Sequence, residues 1–215
     1  MTYSLFGESV ATAKKKPKQV LSYSEDQSQI LSGIVDLHCD GEIHCDATFG
    51  NGAFYKAMPP PLLKFDIDPQ VDGVVKADSQ DLPVDDCSLS SIMFDPPFLT
   101  YVKEAREHND KCIMSRRFGG YYTYQQLEDH YIHSISCFYR KLKRNGVLIV
   151  KCQDIVHNHR LHATHVKVIL WAESEGFRLK DLFVLGAKHR MPGPNGGTQK
   201  HARVAHSYFL VFVKR

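Results

Sequence analysis

The chain has 215 residues, 43% hydrophobic and 24% charged, a length and mixture that suit one globular domain, or one with a small extension. Its net charge of +3 is too small to name a polyanionic partner, although twelve histidines add positive charge at mildly acid pH. Six cysteines without a C-x-x-C pair speak against a disulfide scaffold or zinc ribbon and for reduced thiols in a cytoplasm, while no apolar run approaches the ~20 residues of a membrane span and no apolar stretch opens the chain as in a signal peptide.

Residues 1–19 read as a flexible leader, with the basic run Lys14-Lys15-Lys16-Pro17-Lys18 broken by proline. Residues 20–215 read as one domain. A helix is expected over 24–38. Ser24 would cap it, Glu25 and Asp26 suit the positive end of its dipole, and Ile30, Ile34 and Leu37 share a face.

Residues 43–49 then form a strand that runs into Gly50-Asn51-Gly52 and a helix start at Ala53. Strand, glycine turn and helix is the layout of a nucleotide-binding first unit, because glycines permit a tight turn and a close approach of backbone to ligand. Only G-x-G is present, so a dinucleotide pyrophosphate site is not indicated. A second strand, 62–68, ends in Asp66, Ile67 and Asp68, and an acid there suits the hydroxyls of a ribose. A third, 74–78, ends in Asp78, which could accept from an adenine amino group, with Ser79 after it.

The fourth strand, Ile92-Met93-Phe94, stops at Asp95-Pro96-Pro97-Phe98. Two prolines cannot donate to a ladder and fix φ, so the strand ends in a stiff corner. Such a corner suits a flat group carrying an exocyclic NH2: Asp95 and a proline carbonyl can each accept one of its hydrogens, and Phe98 can stack on the ring. Asp95 would act as an ionised acceptor without any shift in its acidity.

Residues 99–120 form a candidate lid. Arg116 and Arg117 would meet phosphates, and Phe118, Tyr121 and Tyr122 would offer stacking faces. A helix over 123–143 is capped by Thr123 and ended by Asn145-Gly146, and a fifth buried strand covers 147–151. His157, His159, His162 and His165 follow, but nothing completes a tetrahedral set at ligand spacing, so no metal is expected. A helix spans 161–176, a sixth strand 181–186 and a last one 207–213. The last two make a hairpin whose tip, 187–205, carries Lys188, Arg190, Lys200 and Arg203 for nucleic acid.

Asp46, Asp66, Asp78 and Asp95 thus close successive strands, and strands alternate with helices. The architecture expected is α/β: a doubly wound Rossmann-like sheet, mostly parallel, with one antiparallel strand near the C-terminus at the sheet edge.

The motifs in this order resemble the S-adenosylmethionine-dependent amino-methyltransferases of the class I fold, the DNA N6-adenine and N4-cytosine enzymes. Asp46-Ala47-Thr48-Phe49-Gly50-Asn51-Gly52 is similar to their D-x-F-x-G-x-G, with Thr48 where the family has phenylalanine. Asp95-Pro96-Pro97-Phe98 matches their [DNS]-P-P-[FYW] motif, and aspartate at its first position leans towards adenine N6. The resemblance implies S-adenosyl-L-methionine as cofactor, held by Asp46, Thr48, Phe49, Gly50, Gly52, Asp66, Ile67, Asp78 and Ser79, and catalysis by Asp95, Pro96, Pro97 and Phe98. It implies a nucleic-acid partner, DNA before RNA, a monomer or homodimer, and a cytoplasmic enzyme of the kind carried by phages and mobile elements. RNA base amino-methylation, cytosine N4 methylation and a non-catalytic binding module are the competing readings. Specific DNA methyltransferases of this motif order usually carry a sizeable recognition region; here only 99–120 and 187–205 leave room for one.

Overall fold

A computed structural model describes residues 19–98, 100, 123–187 and 199–215. Ten strands occur among them: β1 Tyr23–Ser24, β2 Cys45–Asp46, β3 Leu63–Asp66, β4 Val75–Lys76, β5 Leu89–Phe94, β6 Leu142–Cys152, β7 Ile155–His157, β8 Arg160–His162, β9 Phe177–Gly186 and β10 His206–Lys214. The α-helices among the described residues are α1 Gln27–His38, α2 Tyr124–Lys141 and α3 Thr164–Glu175. Eight strands form one sheet in the order β1-β9-β10-β6-β5-β2-β3-β4, and β7 and β8 form a separate hairpin. All neighbours in the sheet are parallel except at β10, which is antiparallel to both β6 and β9.

The antiparallel strand is therefore interior, not an edge as the sequence suggested. Ser-Tyr-Phe-Leu-Val-Phe-Val explains why. Phe209 and Val211 pack with α1 residues Ile30, Leu31 and Ile34 on one face, while Leu210 and Phe212 pack with α2 and α3 on the other. A strand apolar on both faces is stable only where both are covered. β5 and β6 show the same period of two: Ile92, Phe94, Leu148 and Val150 join the α2 layer, and Met93, Val147 and Ile149 the α1 layer. The doubly wound arrangement is thus present, with α1 on one face and α2 and α3 on the other.

Several boundaries differ from the sequence reading. Asp26, not Ser24, caps α1, accepting from the Ser28 N–H at 2.9 Å; Ser24 lies in β1 and its hydroxyl accepts from the Asp26 N–H. The unit after Gly52 is a 3-10 turn, Ala53–Tyr55, and no longer helix follows. α2 begins as expected, with Thr123 and Gln126 forming a reciprocal capping box. It ends at Lys141 rather than at Asn145-Gly146, since Leu142 turns extended and starts β6. Asn145, at φ +62°, sits in an irregularity where Leu89 pairs Leu142 but Ser91 pairs Val147. Leu161, assigned by its spacing to the face of a helix, lies in β8 and is exposed; α3 starts at Thr164. The five described cysteines are free thiols, four of them buried.

Candidate functional site

Parallel β2, β3, β4 and β5 bring their carboxyl ends to one edge of the sheet. Asp46 is in register with Met93 on one side and Lys64 on the other, and Asp66 with Lys76. Open α/β sheets bind ligands at this edge, where the strand order changes direction.

The glycine turn at the end of β2 is held by the acids around it. Asp66 Oδ2 accepts from the Gly50 N–H and Oδ1 from the Asp68 N–H, both at 2.8 Å. Gly50 and Gly52 have φ of +57° and +73°, a region costly to residues with a Cβ. A Cβ on Gly50 would meet nothing within 4 Å, whereas one on Gly52 would stand 2.9 Å from the Phe49 ring. Gly50 therefore borders open space, and Gly52 closes on Phe49, which is stacked on Tyr55 at 5.5 Å.

Asp46 is fully buried beneath this turn. Its carboxyl accepts from the Tyr55 hydroxyl at 2.6 Å and the Thr48 N–H at 2.8 Å. Burial pushes its pKa up to about 7, against the pull of those two donors, and the charges of Asp95 and Asp66 add to the rise. It is the floor of the turn rather than a group open to ligand.

Thr48, where the resembled motif has phenylalanine, ties the turn to the proline corner: its Oγ1 accepts from the Asp95 N–H at 2.7 Å. Asp95 follows β5 directly and stands beside Lys151 of β6, since Phe94 is in register with Val150. Lys151 Nζ lies 3.4 Å from Asp95 Oδ2. Asp95 Oδ1 is screened from solvent and has no hydrogen-bond partner among the described residues. Burial raises the Asp95 pKa, and the Lys151 ammonium pulls it back only in part. This corrects the expectation of an unshifted acid, which left out the cost of taking the carboxyl out of water. Pro96 is buried; Pro97 and Phe98 are half-buried.

Asp78 stands past β4, half-buried, with Oδ1 accepting from the Gln80 N–H at 2.9 Å. Ile67 is exposed. The Ser79 hydroxyl is buried, 2.9 Å from both His130 Nε2 and Ser134 Oγ on α2. This hydroxyl joins the β4–β5 connection to α2. Lys200 and Arg203 are exposed before β10, whereas Arg116, Arg117, Lys188 and Arg190, and most of both assigned loops, lie outside the described residues. A groove of about 360 Å³ is lined by Glu25, Gln27, Gln153, His206 and Ser207 among others.

Lys151, Gln27 and Tyr55 belong to this site and escaped the sequence reading. Lys151 left one trace, a cation closing an apolar strand run. Of the four histidines of 157–165, His165 meets Asp154 at 2.7 Å, His157 meets Thr100 at 3.0 Å, His162 lies over the Tyr124 ring with the His157 ring 6.2 Å away, and the His159 carbonyl faces His201.

No family model matches the chain, nor does any curated protein. Among solved structures, it is similar to a SAM-dependent methyltransferase from Methanosarcina mazei, at 10% identity and TM-score 0.50, over 84% of this chain and 96% of that one. It is also similar to TrmN from Thermus thermophilus, at 14% identity and TM-score 0.50, over 87% and 49%. A second Thermus thermophilus protein, described as a candidate DNA modification methylase and solved with S-adenosyl-L-methionine, matches at 17% identity and TM-score 0.44, over 64% and 53%. The chain spans about half the length of the latter two. The fold is that of the class I methyltransferases.

Proposed function

We propose that this chain is an S-adenosyl-L-methionine-dependent methyltransferase that modifies the exocyclic amino group of a base in DNA, adenine N6. The observation that carries the reading is Asp95 Oδ1, a screened carboxyl oxygen without a donor, at the carboxyl end of a parallel strand and bonded through Thr48 to a glycine turn. A screened acceptor left unpaired costs free energy that an arriving N–H recovers.

The residues on the β2–β4 side fit the cofactor. The open space at Gly50 admits a close approach to backbone, and Asp66 keeps acceptor capacity for ribose hydroxyls, since a carboxylate offers about four lone-pair sites and two are used. Asp78 lies one strand further and is assigned to the adenine amino group. Asp46, Phe49 and Gly52 shape the turn from below. When bound there, S-adenosyl-L-methionine supplies an electrophilic methyl group on a sulfonium, and the carbon–sulfur bonding pair stays with sulfur as the methyl leaves.

The chain's own part is to hold the target amine. A ring-conjugated NH2 is a poor nucleophile because its lone pair is delocalised. Asp95 Oδ1 and the Pro96 carbonyl each accept one N–H, which draws the nitrogen towards sp³ geometry and frees the lone pair to bond the methyl carbon; the methylated amine then loses its surplus proton to water. Pro96 and Pro97 fix the carbonyl's direction, and Phe98 stacks on the base. Positioning of this kind supplies up to ~7–11 kcal/mol of a barrier. Lys200 and Arg203, with Arg116, Arg117, Lys188 and Arg190, are assigned to phosphates.

The test is transfer of tritiated methyl from the cofactor to duplex DNA, single-stranded DNA and RNA in parallel, with the labelled nucleoside identified. Labelled N6-methyl-2′-deoxyadenosine from DNA is expected, with a loss on the order of 10²-fold or more in Asp95→Ala and cofactor binding retained. Label confined to RNA or to cytosine would overturn the substrate, equal label in both proteins would remove Asp95 from the reaction, and absence of cofactor binding by calorimetry would overturn the whole reading.

A further inference from the structure

Lysine at the end of a strand ordinarily carries its ammonium out to water. Lys151 does not: its side chain is only 13% exposed. Its Nζ is 3.4 Å from Asp95 Oδ2 and donates to Gln27 Oε1, in the first turn of α1, at 3.1 Å. The rings of Phe54 and Phe209 face the cation, their centroids at 4.8 and 5.7 Å. Three elements, α1, the 3-10 turn and β10, thus build a housing around one ammonium beside Asp95.

We propose that Lys151 is a positioning residue for Asp95: its ammonium engages Oδ2, keeps the carboxyl an anion in a dry setting, and leaves Oδ1 as the acceptor presented to the target amino group. The inference rests on the function proposed above. An anion with one oxygen engaged accepts from the amine through the other; a protonated carboxyl could turn an O–H towards the same nitrogen and repel its hydrogens. The titratable groups around Asp95 are Asp46 of β2, the Tyr55 hydroxyl and the Cys152 thiol; burial chiefly holds each towards its neutral form, and the Asp95 charge adds to that rise. Lys151 is the cation that acts on it from these elements.

The test uses the full chain with Lys151→Met, which fills the aromatic housing with a side chain of similar length, and Lys151→Arg, which restores the charge. Two readouts separate this inference from the one it rests on. The first needs no activity: the Asp95 carboxyl titration is followed by carbon-13 NMR, assigned by its absence in Asp95→Asn. Removal of Lys151 should move that midpoint up by at least about one pH unit, a tenfold change in the ionisation constant, and Lys151→Arg should move it back. The second is the pH profile of kcat. In Lys151→Met its acid limb should shift up in parallel, with cofactor affinity within about twofold of wild type. A midpoint unchanged in Lys151→Met overturns the role of Lys151, whether or not methyl transfer occurs. A shifted midpoint with a uniform loss of kcat and an unmoved acid limb overturns its coupling to the reaction. If wild type neither binds the cofactor nor transfers methyl, the proposed function fails while the titration still decides the ion pair.

Discussion

At the scale of single residues, the proline corner depends on one hydroxyl. Thr48→Val keeps the shape of the side chain and removes the acceptor for the Asp95 N–H. A part-buried donor left unmade costs about 1–3 kcal/mol, so urea midpoints should fall accordingly and Thr48→Ser should restore them. Methyl transfer should suffer more than cofactor binding, because the displaced atom lies in the corner. Asp46 makes the opposite point, a group whose burial costs stability. Its pKa rises to about 7 in the folded chain from about 4 in an unfolded one. Between those values the folded state keeps a proton that the unfolded state has lost, so stability falls as pH rises through the window. Below it both states are protonated, and above it the loss is complete. Asp46→Asn holds the neutral form throughout. The stability of wild type relative to this variant should therefore decline from about pH 4.5 to about pH 8, as measured by urea unfolding at each end.

At the scale of elements, local chemistry was readable where a side chain meets its own backbone. Thr123 was identified as a cap, and it is one. Thr123→Ala should lower stability by about 1 kcal/mol, seen as a smaller urea midpoint, with catalysis unchanged because α2 supports the sheet from behind. The β5 corner and the glycine turn were equally legible, since proline and glycine state their geometry directly. Where two local signals compete, sequence reading failed. Ser24 and Asp26 are both good caps, and pairing of Tyr23 and Ser24 with Val184 and Leu185 decides between them from far along the chain. Asn145-Gly146 is a fair helix stop, but buried Leu142 ends α2 sooner. The β7–β8 hairpin hid within a histidine-rich run whose spacing drew attention to metals and to a helix face; its turn, Asn158-His159, has φ of +50° and +56°, which neither residue announces strongly.

At the scale of the whole molecule, the order of parallel strands could be expected from strand–helix alternation, and the acids' common edge followed from it. Neither the ion pair of Lys151 with Asp95 nor its aromatic housing could be expected, because Gln27, Phe54, Asp95, Lys151 and Phe209 are dispersed over most of the chain and meet only when the sheet is assembled. The interior position of β10 was missed for a related reason: a hairpin with β9 predicts one neighbour, and the second, β6, is set by packing on both faces.

That interior strand has a consequence for synthesis. A chain leaves the ribosome in order, and β10 follows β9. Until His206–Lys214 has emerged, β6 has no partner on its far side and β9 with β1 cannot join the rest of the sheet, so a nascent chain carries β2–β6 as a half-sheet with one apolar margin open. With a linker fused after residue 215, chains stalled where β9 has left the exit tunnel but residues 206–214 have not should be cut readily by protease within β9, and chains stalled long enough to free residue 214 should resist. Protection of β9 before that length would mean the two halves meet without the strand between them.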